Sequence, residues 1–350
     1  MNLIALANLL DESFSTAEIN TLAFNLYLDS DNLRGEIKRE KAQALVNYAN
    51  NRGYLPQLVA DMQAINPSIA PDLAALQTAP DLPPQIADTA VLEQTYPAPL
   101  NDLRRNLQRG RLTFFVGADL GKSQTGFPSR QLLADGLARQ EGLETGRRLA
   151  EVAQEVMQAG NRFAFTQHLR QQLDPVGHTP QPLLRTLAGL VQENELETLI
   201  TTDYGEAVEA AFRAQGIGLN TAVNDSDLQF ANPDYPTLLK LYGDWQQPAS
   251  LIVTTQDENK LVRGRVPDKQ TLLDEAIRAF RRTTLLFIGY DLNDPVVSAL
   301  FDEVAGDQFQ RTAYAVWSGL SHTAVSSYST NRGLVVLDTD PHLLLQALLS

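Results

Sequence analysis

The chain contains no cysteine among its 350 residues, which excludes disulfides, thiolate metal sites and cysteine nucleophiles. It also lacks a long apolar run, and no segment approaches the roughly eighteen residues that a membrane span requires. The first four residues carry no basic segment. We therefore expect no secretory signal and no membrane anchor, and a cytoplasmic protein.

Basic residues are scarce: 28 Lys and Arg stand against 42 Asp and Glu, for a net charge of −14. This balance opposes binding to nucleic acid or to an anionic membrane over a broad surface. The four histidines, at positions 168, 178, 322 and 342, form no metal-ligand spacing with carboxylates, so we expect no metal site. The length allows two domains, and the hydrophobic content of 43% is that of a globular protein.

The first 67 residues have the apolar spacing of short helices joined by tight turns. Leucines and isoleucine fall on one face of residues 3–10, Ser15 or Thr16 suits a helix N-cap, Pro56 a helix start and Gly53 a C-cap. Seven prolines then punctuate residues 67–99. The pattern predicts a small helical bundle over residues 1–67 and a Pro-rich linker over 68–98.

From residue 99 to 350, apolar runs alternate with helical segments. Strands are predicted after Arg111 and at 197–202, 251–254, 284–289, 312–317 and 333–337. Helices are predicted at 103–109, 131–141, 145–158, 161–173, 180–193, 206–214, 268–282, 293–305 and 340–349. Continuous apolar strands separated by helices indicate an α/β domain with a doubly wound, Rossmann-like parallel sheet.

The first of these strands ends at Gly117, and a loop of small residues and then a helix follow. Strand, glycine turn and helix form a nucleotide pocket in many α/β folds, although a turn glycine without a ligand has the same sequence. Residues 117–123 also approximate a phosphate-binding P-loop, but three residues separate Gly117 from Gly121 where that loop needs four. The P-loop is therefore the weaker alternative.

The N-terminal segment resembles the effector-associated, death-like adaptor domains of bacterial conflict systems. The residues that carry the resemblance are 10–15, 22–26, 41–48 and 52–58, within the first 67. The resemblance implies a non-catalytic domain that recruits a partner by like-with-like contacts. The expected partner is a second copy of this chain, as a homo-oligomer, or another protein with a similar domain.

Five landmarks in the second domain, in order, resemble the sirtuin-like domains of prokaryotic immune proteins, which bind and often hydrolyse NAD. They are residues 115–120, 126–129, 201–204, 240–244 and 287–295. The resemblance implies NAD, or a related ADP-ribose-containing nucleotide, as the ligand. The binding residues it implies are Gly117, Ala118, Asp119, Phe127, Pro128, Thr202, Gly243, Gly289, Tyr290 and Asp291. Asp291 and Asp294 are expected to hold the loop that follows Gly289.

The sequence departs from this family at the positions that carry chemistry. The family usually has a second glycine where Asp119 stands, a serine at Gly121, an asparagine at Asp203 and a histidine at Tyr242. Histidine titrates near neutrality and can take a proton there, whereas tyrosine titrates near pH 10. A carboxylate about 4 Å from a diphosphate costs roughly 1 kcal/mol in water and about 4 kcal/mol at an effective dielectric constant near 20.

These substitutions favour a sirtuin-like domain that binds a nucleotide, or serves as an assembly scaffold without a cofactor, and is degenerate as an NADase. The alternative is an active NAD glycohydrolase effector with a rearranged site. In that case Asp203 and Tyr242 are the catalytic candidates, since a carboxylate can stabilise an oxocarbenium ion. We expect Gly117, Asp119, Asp203, Tyr242 and Gly289 to meet at one cleft at the carboxyl ends of the strands.

Overall fold

A computed structural model describes residues 3–26, 28, 38–51, 54–71, 73, 88–118, 120, 128–173, 180–290, 294–305, 313–316 and 334–349. The chain divides into two compact units, Met1–Gln85 and Ile86–Ser350. Each unit has its own cluster of buried apolar side chains.

The first unit is helical, as predicted. Its helices are Leu3–Ser13, Thr16–Asn25, Lys38–Asn51 and Leu55–Ile65, followed by a 3-10 turn at Pro67–Ile69. Ser15 caps the second helix in a reciprocal capping box with Glu18. Leu10, Leu22 and Met62 are fully buried and join the helices in one core. The predicted C-cap at Gly53 lies outside the described residues.

The second unit is built on a seven-stranded, fully parallel sheet, which confirms the predicted α/β fold class. Its strands are β1 (Leu112–Val116), β2 (Thr198–Thr201), β3 (Asn220–Ala222), β4 (Thr237–Lys240), β5 (Thr284–Ile288), β6 (Ala313–Val316) and β7 (Leu334–Leu337). They lie in the order β3-β4-β2-β1-β5-β6-β7. All five residues of β1 and of β5 are buried, as expected for strands covered on both faces.

Helices link these strands at nearly the predicted positions. They are Arg130–Gln140, Leu149–Gln158, Arg162–Leu173, Pro182–Glu193, Ala207–Ala214, Asp225–Gln229, Thr255–Val262, Gln270–Arg282, Pro295–Ala305 and Pro341–Leu349. The strand order reverses at β1, which pairs with β2 on one side and β5 on the other. In open α/β sheets, this reversal opens a ligand crevice at the carboxyl ends of the strands.

One predicted strand is wrong. Residues 251–253 form no strand, although Ile252 and Val253 are buried. The Ile252 amide donates to the carbonyl of Tyr242 at 3.0 Å and Thr254 caps the next helix, so this run is a buried connection. The β-branched residues Ile252 and Val253 therefore indicated a buried segment and not a strand that pairs with a neighbour. The place beside β2 belongs instead to β4, which the sequence pattern did not reveal.

The predicted linker of residues 68–98 also contains structure that belongs to the second unit. A helix spans Thr89–Thr95, with Leu92 fully buried in the α/β core, and the next helix, Pro97–Leu107, begins before residue 99. Proline at the first position of a helix starts it and does not break it. The two compact units therefore divide between Gln85 and Ile86.

Candidate functional site

The landmark residues meet where four neighbouring parallel strands end. Gly117 follows β1, Thr202 follows β2 and Gly289 follows β5. Tyr242 lies two residues beyond the end of β4. Because β4, β2, β1 and β5 are adjacent and parallel, these positions share the carboxyl edge of the sheet.

Gly117 and Gly289 are glycines because the loops after β1 and β5 pack on each other. The Gly117 amide donates to the Ile288 carbonyl at 2.8 Å, and a Cβ on Gly117 would lie 2.2 Å from the Gly289 carbonyl oxygen. Gly289 has φ +58°, and a Cβ there would lie 2.2 Å from Cγ of Leu120. Close packing thus accounts for both glycines without a ligand.

Arg130 connects the loop after β1 to the ends of β2 and β4. It is the first residue of helix Arg130–Gln140, and its amide donates to the Ala118 carbonyl at 2.8 Å. Its guanidinium donates to the Thr202 carbonyl at 2.7 Å and to the Asp294 carboxylate at 2.8 Å. Its Cζ lies 4.4 Å from the ring centroid of Tyr242, within cation–π range.

Tyr242 is enclosed at this position, with 1% of its surface exposed. Its hydroxyl lies 2.7 and 2.9 Å from the two carboxylate oxygens of Asp294 and 3.4 Å from Oε1 of Glu258. The one phenolic proton therefore goes to Asp294. Burial, and then the Asp294 charge, raise the pKa of Tyr242 well above its ordinary value.

Asp294 and Glu258 hold the tyrosine from two different helices. Asp294 caps helix Pro295–Ala305 by accepting from the Val296 amide at 3.0 Å. Glu258 belongs to helix Thr255–Val262 and pairs with Arg148. Burial raises the pKa of Glu258 against the opposing charge of Arg148. We call Arg130, Thr202, Tyr242, Glu258 and Asp294 the tyrosine cluster.

Asp203 follows Thr202 in the chain, but the hydrogen bonds described for it are to residues two positions away and not to the tyrosine cluster. It is half-buried, its amide donates to the Thr201 hydroxyl at 3.0 Å, and its Oδ1 accepts from the Gly205 amide at 3.1 Å. Thr202 is fully buried, and no hydrogen-bond partner of its hydroxyl is found in the structure as described. A ligand hydroxyl or phosphate oxygen would suit such an orphaned group.

Lys240, at the end of β4, ties the turn after β2 to the turn after β4. It is fully buried and donates to the Gly205 carbonyl at 2.5 Å, to Glu209 at 2.9 Å and to Asp244 at 2.5 Å. Burial favours the neutral amine, but the charges of Glu209 and Asp244 outweigh it and raise the pKa of Lys240 to about 12. The charged ammonium thus holds the two turns together.

The other predicted binding residues pack against neighbouring parts of the fold where they are described. Gly243 has φ +83°, and a Cβ there would lie 2.3 Å from the Ser250 carbonyl oxygen. Tyr290 packs its ring 4.7 Å from that of Phe115, and Pro128 is half-buried before the helix cap. Asp119, Phe127 and Asp291 lie outside the described residues, as does Gly121.

The sequence reasoning missed Arg130 and Glu258, and it assigned Asp294 only to holding a loop. Ser129 followed by Arg130, and Asp294 followed by Pro295, are N-cap signatures at helices that begin at a strand end. Such signatures locate residues at the carboxyl edge of a parallel sheet. They do not reveal that Arg130 and Asp294 meet.

Two surface grooves, of about 370 and 470 Å³, are lined by residues of the second unit. None of the predicted site residues lines either groove. Within the described ranges, no three His, Asp or Glu side chains are grouped so as to hold a metal ion. None of the described helices has the length and apolar character to cross a bilayer.

Family models match both parts of the chain. The model of effector-associated domain 7 matches residues 6–67, and that of the SIR2-like domain matches residues 197–333. The chain therefore resembles an effector-associated domain in its first part and a SIR2-like domain in its second. Both family resemblances are thereby confirmed. The SIR2-like match includes the landmarks at Thr202, Tyr242 and Gly289, whereas the landmarks at 115–120 and 126–129 precede it.

Solved sirtuin structures are similar to the chain at low identity. A SIR2 homolog in complex with NAD is 12% identical with a TM-score of 0.46, over 71% of this chain and 92% of that one. A structure from work on the mechanism and regulation of Sir2 enzymes is 15% identical with a TM-score of 0.42, over 71% of this chain and 95% of that one. No curated protein matches the chain in sequence.

Proposed function

We propose that this protein is a cytoplasmic component of a prokaryotic defence or conflict system. Its effector-associated domain would assemble with a second copy or with a similar domain on another protein. Its SIR2-like domain would bind NAD or a related ADP-ribose-containing nucleotide without turning it over. The two family matches support the pairing of an assembly domain with a nucleotide-binding fold.

The enclosure of Tyr242 is the observation that carries the loss of turnover. Releasing nicotinamide from NAD requires a base that accepts a proton from water or from a ribose hydroxyl, and the family places a histidine there. The Tyr242 hydroxyl already donates to Asp294 at 2.7 Å, and its pKa is raised by burial. A protonated phenol bonded to a carboxylate cannot act as a base at neutral pH.

Two groups of the tyrosine cluster support nucleotide binding. Arg130 provides a cation with 18% of its side chain exposed, which suits a diphosphate. The unpartnered Thr202 hydroxyl suits a ribose hydroxyl or a phosphate oxygen. The carboxylates of Asp203 and Asp294 at the same edge weaken anion binding, so we expect an affinity below that of an active NADase.

The test is to incubate the purified chain with NAD, alone and in its assembled state, and to follow nicotinamide release. Calorimetry with ADP-ribose measures binding separately from turnover. We expect measurable ADP-ribose binding and no steady release. Steady nicotinamide release, abolished by Asp203→Asn, would establish the glycohydrolase alternative, with the half-buried Asp203 as the catalytic carboxylate.

Restoring family residues provides the matched gain-of-function experiment. Tyr242→His supplies a group that titrates near neutrality, and combining it with Asp203→Asn and Asp119→Gly restores three family positions. Turnover by the triple variant, and none by the wild type, would locate the loss in these substitutions. Because the cluster around Tyr242 must also rearrange, we expect the triple variant to gain binding before it gains turnover.

A further inference from the structure

The sheet has an open edge at β3, away from the tyrosine cluster. β3 pairs only with β4 in the part of the sheet that the structure describes, and the Asn220 amide donates towards that side, to the Pro236 carbonyl at 2.9 Å. Backbone groups alternate in direction along a strand. Leu219 and Thr221 therefore direct their N–H and C=O groups outward.

The chain satisfies the outward groups on the carboxyl side of this opening. The Val223 amide donates to Asp227 at 2.8 Å, and the Val223 carbonyl accepts from the buried Lys269 ammonium at 2.6 Å. The Asn220 side chain lies between the two outward-facing residues and donates to the Asn232 carbonyl at 2.8 Å, in the segment that leads into the paired strand β4. The outward-facing backbone groups of two residues, Leu219 and Thr221, form an opening that ends at Val223 on its carboxyl side.

A groove of about 470 Å³ runs beside this opening. Its walls are the edge residues Leu219 and Thr221 and the helix Ala207–Ala214, and Phe212 and Ile217 give it an apolar lining. A groove between an exposed edge strand and a helix accommodates an extended peptide, whose backbone pairs with the strand while alternate side chains enter the groove.

The rim of the groove is acidic. Glu206, Glu209 and Asp244 line it, and the buried Lys240 ammonium balances one charge of the Glu209 and Asp244 pair. Arg213 contacts Glu206 at 3.4 Å but is 69% exposed, so another cation can replace it. These three carboxylates face two cations, Lys240 and the displaceable Arg213. The rim therefore has an excess of negative charge that a basic side chain of a ligand would complement.

We propose that the β3 edge and its groove bind an extended segment of a partner protein as an added strand, with a Lys or Arg of that segment at the Glu206 rim. The backbone of this segment would pair with the edge, and β-branched residues two positions before and after the cation, on the same face of the added strand, would cover Phe212 and Ile217. This surface is independent of the proposed nucleotide binding, since no residue of the tyrosine cluster lines it.

The experiment titrates the full chain with a fluorescent, terminally blocked peptide, Val-Thr-Arg-Thr-Val, by fluorescence polarisation. We expect saturable binding that weakens about tenfold on N-methylation of the central peptide amides, which removes backbone hydrogen bonds without altering the protein. A peptide with Glu in place of Arg should weaken binding at least as much. N-methylation without effect would overturn strand addition.

Protein variants locate the site. Glu206→Gln should weaken binding several-fold, whereas Glu193→Gln, at an exposed helix position outside the groove, should not change it. Thr221→Val should bind normally because it keeps the backbone groups. Absence of binding, or equal effects of the two glutamate variants, would refute the proposal. Concentration-dependent self-association that excess peptide displaces and that Glu206→Arg abolishes would assign the edge to a second copy instead.

Discussion

The tyrosine cluster makes a quantitative prediction for Asp294→Asn. Asparagine can still cap helix Pro295–Ala305, so the substitution isolates the charge. Asp294 is 7% exposed and accepts from Arg130 at 2.8 Å and from Tyr242 at 2.7 Å. Breaking a buried ion pair costs about 3–5 kcal/mol. Arg130 would still donate to the Thr202 carbonyl and lie over the Tyr242 ring. We therefore expect the free energy of unfolding to fall by about 3 kcal/mol, the lower end of that range.

Glu275→Gln is the matched control. Glu275 and Arg278 form an ion pair at 2.6 Å, with side chains 34% and 52% exposed, so its loss should cost less than about 1 kcal/mol. Both tryptophans, at positions 245 and 317, lie in the second unit, so tryptophan fluorescence during urea unfolding reports on that unit. If Asp294→Asn and Glu275→Gln cost the same, the argument from burial of the cluster is refuted.

Three further predictions use the same urea assay. Gly117→Ala should lower the free energy of unfolding by about 2 kcal/mol or more, because the added Cβ would lie 2.2 Å from the Gly289 carbonyl oxygen. Its control is Gly189→Ala, in helix Pro182–Glu193, where the added Cβ would meet no atom within 4 Å and should stabilise the protein. Equal effects of the two variants would contradict the close packing at Gly117. Burial lowers the pKa of Lys269 to about 8 from 10.5, so the folded state binds fewer protons above pH 8 and wild-type stability should rise with pH. Between pH 8 and 9.5, the free energy of unfolding of the wild type should rise by about 1.5 kcal/mol relative to that of Lys269→Met, which has no group to titrate there. Parallel pH profiles of wild type and variant would disprove this. A chain that begins at residue 86 should be about 2 kcal/mol more stable than one that begins at 99, because it keeps the fully buried Leu92; equal urea midpoints would restore the boundary at 99.

The sequence alone determined the fold class, because local patterns encode it. Continuous apolar runs marked β1, β2, β5, β6 and β7, and helical spacing marked most of the helices between them. The strand-glycine-loop pattern at Gly117, together with the ordered landmarks, indicated which ends of the strands to examine. These signals depend on neighbours along the chain, so they survive without a structure.

The tertiary structure decided which elements pair. β3 and β4 carry polar residues, such as Asn220 and Lys240, that obscure a strand pattern, while residues 251–254 have strand composition and no strand partner. Whether a buried apolar run becomes a strand depends on whether a neighbouring strand offers its backbone groups. That choice is made across the sheet and not along the chain.

The candidate site was decided in the same way. Arg130 bonds Asp294 across 164 positions, and Asp294 bonds Tyr242 across 52. The resemblance to the sirtuin-like family marked Tyr242 as standing where that family usually has a histidine. Its enclosure by two carboxylates and an arginine follows from the convergence of helices on one sheet edge. Burial and electrostatics act through space, so the protonation of Tyr242 could be assigned only once its neighbours were known.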